Sequence, residues 1–279
     1  MDPRTTTSLL VLLLLGLCNA HEGNDHDANN ELYDFCFASI SVDDSEMEDL
    51  TSTILRMNNG SSDFLLEGDV LIPRTRNAMK CFSKRYTCLW RKSANGNVEI
   101  PFLINQEYDD TERSEILGAM KDFECKTCIR FIPRETQRAY LSVEPKSGCS
   151  SLLGTTGGKQ VLSLQRFGCV RHGIIQHELL HALGFYHEHT RSDRDQYVKI
   201  NWDNVYKFSV YNFRKQDTNN LNTPYDYSSI MHYGRNAFGK RRSETIIPIP
   251  DSSVPIGQRD ELSKIDILRI NRLYKCGNY

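Results

Sequence analysis

The sequence of 279 residues predicts a mixed α and β fold, and three observations carry that prediction. Short runs rich in β-branched and aromatic residues have strand character. Two mid-chain segments place apolar residues at helical spacing, and a third such segment closes the chain. Composition agrees: 39% hydrophobic, 25% charged and a net charge of -2 suit one large globular domain or two small ones.

The start lies outside this fold. Ser8 to Leu17 is a ten-residue apolar run followed by Cys18, Asn19 and Ala20. It is too short to span a bilayer, which needs about 20 residues, and reads as a signal peptide over residues 1–20. No later stretch suits a membrane span, so export without a membrane partner is expected.

Charge marks the next boundary. Residues 1–76 hold 4 Lys and Arg against 14 Asp and Glu, whereas residues 77–279 hold 30 against 22. An acidic segment ahead of a basic body predicts a separable propeptide, residues 21–76, covering a domain at 77–279. The break "NNGSSD" carries one glycosylation sequon at Asn59. Arg74 and Arg76 in "LIPRTRNAMKC" suit a trypsin-like cut before Asn77. Basic residues are scattered in the body and no nucleic-acid motif is present, which excludes that partner class.

Within the body, "NVEIPFLI" (97–104) predicts a strand, with Pro101 implying an edge or a bend. "TERSEILGAMKDFE" (111–124) has Ile116, Leu117, Met120 and Phe123 at helical spacing. "CIRFIP", "AYLSVE" and "QVLSLQ" predict three short strands. "GIIQHELLHALGF" predicts a second helix. A loop-rich stretch leads to "ELSKIDILRINRLY" (261–274), a closing helix with apolar Leu262, Ile265, Ile267, Leu268, Ile270 and Leu273. Past the signal there are eight cysteines, seven of them in the body. Disulfides are the default in an exported chain, and the odd count leaves one thiol free or paired outside the domain.

The chemistry concentrates in "HELLHALGFYHEH" (177–189). Residues four apart stack on one helix face, so His177 and His181 can offer two imidazole nitrogens to one zinc ion. Glu178 is displaced around the helix and can instead reach a water at the metal. Ile174, Ile175, Leu179, Ala182 and Leu183 form an opposite apolar face. On a continuing helix His187 would not converge on the same ion. Gly184 adopts left-handed angles cheaply, which ends the helix and returns His187 to the site. A structural zinc site would be closed by four protein ligands and would have no use for Glu178. About forty residues on, "YSSIMHYG" supplies Met231 as an apolar floor and Tyr233 as a phenol near the metal. The elongated zinc motif followed by a methionine turn is the metzincin pattern.

On "HELLHALGFYHEH" and "SIMHY", and more weakly over residues 77–276, the chain resembles the astacin family of metzincin endopeptidases. "NTPYDYSSIMHYG", "NAMKC" and the extra pair Cys81/Cys88 are similar to the fish six-cysteine subgroup of hatching (choriolytic) enzymes. The resemblance implies an α+β, two-lobed protease fold with a twisted mixed sheet, a zinc-site helix and a C-terminal helix. It implies one Zn²⁺ per chain held by His177, His181 and His187. Glu178 is then the catalytic base, and Tyr233 a residue that ligates zinc at rest and supports the transition state. Glu188 receives the mature N-terminus, and Asp69 caps zinc in the zymogen. Implied disulfides are Cys128–Cys276, Cys149–Cys169 and Cys81–Cys88. Cys125 is left free or bonded to Cys36. Substrate is expected to pair with an edge strand in the cleft.

The same resemblance implies a secreted monomeric zymogen, stored in secretory granules and activated by a trypsin-like protease. Egg-envelope proteins are the implied substrate; a six-cysteine astacin with a non-hatching, nephrosin-like role is the alternative. A non-catalytic binding protein would ordinarily have lost a ligand or the base, and all are present here. One departure stands out. The family's propeptide motif is Phe-x-Gly-Asp, and this chain has Leu66-Glu67-Gly68-Asp69.

Overall fold

The computed structural model describes residues 49–72, 88–258 and 260–277. The expected signal peptide, Cys36, Cys81 and the Arg74–Asn77 processing step lie outside the described residues.

The N-terminal segment forms helix α1 (Leu50–Met57) and a short hairpin of β1 (Leu65–Leu66) and β2 (Val70–Leu71). Asp49 caps α1 by accepting from the Ser52 amide. The body then supplies β3 (Val98–Ile104), α2 (Asp110–Lys126), β4 (Ile129–Pro133), β5 (Tyr140–Glu144), β6 (Cys149–Leu152), β7 (Lys159–Leu164) and α3 (His172–Ala182). A stretch of 3₁₀ turns holds only β8 (Val198–Ile200) and β9 (Ile246–Pro248), and α4 (Lys264–Leu273) closes the chain.

Seven strands form one mixed sheet in the order β1-β2-β6-β7-β5-β3-β4. The β4, β3, β5 and β7 strands run parallel, while β6 turns antiparallel beside β7. A crossover of at least a dozen residues must join parallel neighbours, and α2 joins β3 to β4 that way. A capping box between Asp109 and Glu112 starts α2. Its buried Ile116, Ala119, Met120 and Phe123 pack with the buried residues of β3, β4 and α3 in one core.

Two expectations change here. Pro101 does not mark an edge: β3 is interior. Its ladder with β4 covers Val98 to Phe102, and that with β5 begins only at Phe102. At Pro101 the β5 side therefore demands no ladder donor, which is how an interior strand tolerates proline. The closing helix also differs from its apolar pattern. Leu268 is exposed, whereas Asp266 and Arg269 are buried beside Ile270. Both charges have partners, described below, which is what burial of ionised groups requires. The strand β6 was not legible in Cys149-Ser150-Ser151-Leu152, because its pairing comes from β7 and not from its own side chains.

Disulfides pin the elements that carry the site. Cys128–Cys276 ties the start of β4 to the residues after α4, and Cys149–Cys169 ties β6 to the approach of α3. Cys125 is also disulfide-bonded, so it is not a free thiol; Cys88 is bonded too. A smaller core of Val198, Ile200, Val205, Phe213, Tyr225, Tyr233, Ala237 and Ile246 fills the irregular half. Among the described residues no helix is long and apolar enough to cross a membrane.

The start of α3 is docked on α2 through His172. Its Nε2 lies 2.8 Å from Asp122 Oδ2 and its Nδ1 3.3 Å from Glu115 Oε1. Hydrogen bonding to Asp122 outweighs partial burial and raises the His172 pKa above its ordinary value. A raised folded-state pKa stabilises the fold fully below the unfolded value of about 6.5, and that contribution is lost as pH rises through the folded pKa. The thermal-midpoint difference between wild type and His172→Gln should therefore be largest near pH 6 and shrink towards pH 8. A difference that grows with pH would contradict the assignment.

Candidate metal and catalytic centre

The site is built at the C-terminal end of α3. Ile174, Ile175, Leu179, Ala182 and Leu183 are buried, which fixes the helix and turns His177 and His181 to one side. Gly184, at φ +100°, stops the helix, and its amide donates to the His181 carbonyl at 2.8 Å. Trp90 Nε1 donates to the Ala182 carbonyl (2.9 Å) and the Tyr274 hydroxyl to the Leu183 carbonyl (3.0 Å), satisfying the other orphan acceptors of this helix end. The chain then returns His187 against His177, with their Nε2 atoms 3.2 Å apart.

Each histidine is oriented through Nδ1. His177 Nδ1–H donates to the Ile230 carbonyl (2.9 Å) and His181 Nδ1–H to the Phe185 carbonyl (2.7 Å). His187 Nδ1–H donates to the Glu67 carboxylate (2.7 Å). A neutral imidazole that donates from Nδ1 presents a bare lone pair at Nε2. The segment 49–72 adds a fourth acceptor. Asp69 is buried, with Oδ2 at 3.1 Å from His177 Nε2 and 3.3 Å from His187 Nε2, and Oδ1 at 3.3 Å from His181 Nε2. These four ligand atoms lie within 4.8 Å of one another.

Such a cluster fits a divalent cation. Three imidazole Nε2 atoms and a carboxylate converge on one point, and His181 Nε2 and Asp69 Oδ1 have no hydrogen-bond partner. Unpartnered buried acceptors are costly unless an ion satisfies them. Nitrogen and oxygen donors in a set of four are a zinc set, and the Nδ1 acceptors are the outer contacts that orient such ligands. Burial raises the Asp69 pKa, but the charges of His187 and His181 outweigh it and hold the carboxyl well below the usual range.

Glu178 neighbours this cluster, wholly buried, with neither carboxylate oxygen bonded. Burial, and then the Asp69 charge, push its pKa well above the usual range. Tyr233 is buried against the His187 ring, 4.6 Å between centroids, and its hydroxyl donates to the Glu67 carbonyl. Burial first, then the charges of Asp69 and Glu67, raise its phenol pKa. Met231 is buried in the turn below; its carbonyl accepts the Glu188 amide at 3.0 Å.

Glu188 sits one residue beyond His187, with both oxygens engaged. Arg269 reaches them at 2.5 and 2.8 Å, and the Asp226 amide donates at 2.7 Å. The expected contact with the Asn77 terminus lies outside the described residues.

Several supports escaped the sequence reading. Asp266 accepts from the Ser229 hydroxyl (2.7 Å) and the Ile230 amide (3.0 Å), so α4 fixes the turn that orients His177. Arg269 fixes the segment next to His187 through Glu188. Asn58 bridges Gly68 to Cys149, and Glu67 reaches His187. The only available signal was charge at 266 and 269 on an otherwise apolar helical stripe. Gly68, at φ +85°, permits the turn between Glu67 and Asp69, and a Cβ there would meet Leu55 at 2.4 Å. The change from Phe to Leu66 does not keep Asp69 from the histidines.

The site geometry agrees with what the chain is similar to. The family model described as "Astacin", a peptidase family, matches residues 85–275. Low choriolytic enzyme of Oryzias latipes is 57% identical over 276 residues, 99% of this chain and 100% of that protein. High choriolytic enzyme 1 of the same fish is 51% identical over 277 residues, with the same coverage. The solved structure of high choriolytic enzyme 1, a hatching enzyme zinc-protease, superposes with a TM-score of 0.67 at 58% identity, covering 72% of this chain and 100% of that one. A family model spanning most of the chain, relatives more than half identical over its length and a histidine cluster able to hold a metal lead to one conclusion: this chain belongs to the astacin family of zinc metalloendopeptidases.

Proposed function

We propose that the chain is made as a secreted zymogen, residues 1–20 being the signal peptide and 21–76 the propeptide. On this reading the mature protease, residues 77–279, digests egg-envelope (chorion) proteins at hatching. The observation that carries the zymogen reading is Asp69 seated among His177, His181 and His187. A catalytic zinc site keeps one position open, whereas a carboxylate in the fourth position closes it. The β2 strand also lies parallel on β6 at Val70 and Leu71, taking the edge where an extended substrate would pair. The hatching substrate rests on likeness to the choriolytic enzymes. Export into an oxidising compartment fits the disulfides. Storage in granules, monomeric action and a trypsin-like cut before Asn77 complete the reading.

His177, His181 and His187 would hold the ion in both states, with Asp69 as fourth ligand in the zymogen and Tyr233 at rest in the mature enzyme. Bound zinc supplies Lewis acidity to the scissile carbonyl and to the attacking water. Glu178 accepts the proton that the water loses as its oxygen bonds the carbonyl carbon, and delivers it to the amine nitrogen as the C–N bond breaks. Tyr233, released from the Glu67 carbonyl when the propeptide leaves, donates to the developing oxyanion. Glu188, already fixed by Arg269, is the anchor assigned to the mature N-terminus. Asn59 is exposed and so accessible to a glycan.

Glu178→Gln should retain zinc after activation while peptide hydrolysis falls about 10²–10⁴-fold, the usual contribution of a general base. Paired zinc analysis and casein hydrolysis measure this, and near-normal turnover would reject the role. Trypsin-activated protein should also solubilise isolated fish egg envelope, with release blocked by 1,10-phenanthroline. Envelope left intact by an enzyme that hydrolyses casein would refute the hatching role and keep the peptidase.

A further inference from the structure

The three histidines are not held alike. His177 and His181 give their Nδ1 protons to backbone carbonyls of the protease body, Ile230 and Phe185. His187 gives its proton to a side chain of the N-terminal segment, Glu67. Glu67 is buried, and its backbone takes φ +54° ahead of Gly68 at +85°. This tight turn presents two carboxylates to the site, Asp69 at the Nε2 atoms and Glu67 at the opposite edge of the His187 ring.

Glu67 grips more than one group. Its Oε2 accepts from His187 Nδ1 (2.7 Å) and from the His187 amide (3.2 Å). Its Oε1 accepts from Gln216 Nε2 (2.8 Å), while its carbonyl accepts from the Tyr233 hydroxyl. A left-handed turn at a non-glycine residue is unfavourable alone and persists when surrounding contacts enforce it. Here those contacts all lie on the protease body. A carboxylate on the distal imidazole nitrogen fixes the ring and raises its basicity as a ligand more than a neutral carbonyl does.

We propose that Glu67 is a positioning residue of the latent state: its carboxylate holds His187 on the metal. Its departure is then a component of activation separable from the departure of Asp69. This rests on the reading above, in which residues 21–76 are removed and the three histidines hold zinc. Activation exchanges the outer contact of one ligand and leaves those of the other two in place. The zymogen should therefore hold zinc more firmly than the capping carboxylate alone achieves.

The test is zinc transfer from intact, uncleaved zymogen to a colorimetric chelator, comparing wild type, Glu67→Gln and Glu67→Ala. Glu67→Gln keeps size and an acceptor but removes the charge, and should release zinc about tenfold faster, the lower range for lost outer-shell partners. Glu67→Ala should release it at least as fast. Residue 67 lies outside the mature chain, so trypsin activation yields the same protease from every variant and its activity counts the folded fraction. Both variants folding by that measure yet releasing zinc within twofold of wild type would overturn the inference alone. A wild-type zymogen that carries no zinc would overturn the metal reading and this inference with it.

Discussion

The convergence of three imidazole nitrogens and one carboxylate on a single point is the constraint that organises this molecule. Those atoms are buried from water, and two of them, His181 Nε2 and Asp69 Oδ1, have no hydrogen-bond partner. In a low-dielectric interior unpartnered acceptors are costly, and a divalent cation at their centre satisfies them all at once. Zinc binding and folding of this centre are therefore linked: metal stabilises the fold only when every supporting element brings its ligand to the same place.

The scaffold reads as the means of meeting that demand. The core packs α3 along its apolar face, so two ligands are fixed by the spacing of one helix turn. Gly184 breaks the helix at the one place where a third ligand can still return. The closing helix contributes through two buried charges and not through bulk alone: Asp266 holds the turn that orients His177, and Arg269 holds Glu188 beside His187. An unpaired buried charge would cost several kcal/mol, so each is paired or hydrogen-bonded on both sides of the contact. The Cys128–Cys276 bond secures that helix to the sheet, which transmits the order of the larger core to a loop-rich half with few hydrogen-bonded strands of its own.

What the sequence made legible was local and periodic. The four-residue spacing of His177 and His181, the apolar face behind them and the break at Gly184 all follow from helix geometry, and each is found where the spacing puts it. The strand runs over β3, β4, β5 and β7 were legible for the same reason. The rest depended on contacts between distant residues. Pro101 looked like an edge signal because a sequence does not show that one neighbouring strand starts a residue later. The strand β6 is polar and pairs by proximity. Asp266, Arg269 and Glu67 act across 36 to 120 residues of chain, and no periodicity reports such a partner. The placement of Asp69 among the histidines was accessible only through family resemblance, since an isolated aspartate after glycine carries no signature of its own.

The most direct test of this account is the metal content and coordination of the purified, uncleaved protein, by elemental analysis and zinc K-edge absorption spectroscopy. The account predicts one zinc per chain with a first shell of nitrogen and oxygen at about 2.0–2.2 Å, three of the ligands being imidazoles. A folded protein with no stoichiometric zinc, or a shell containing sulfur, would contradict it.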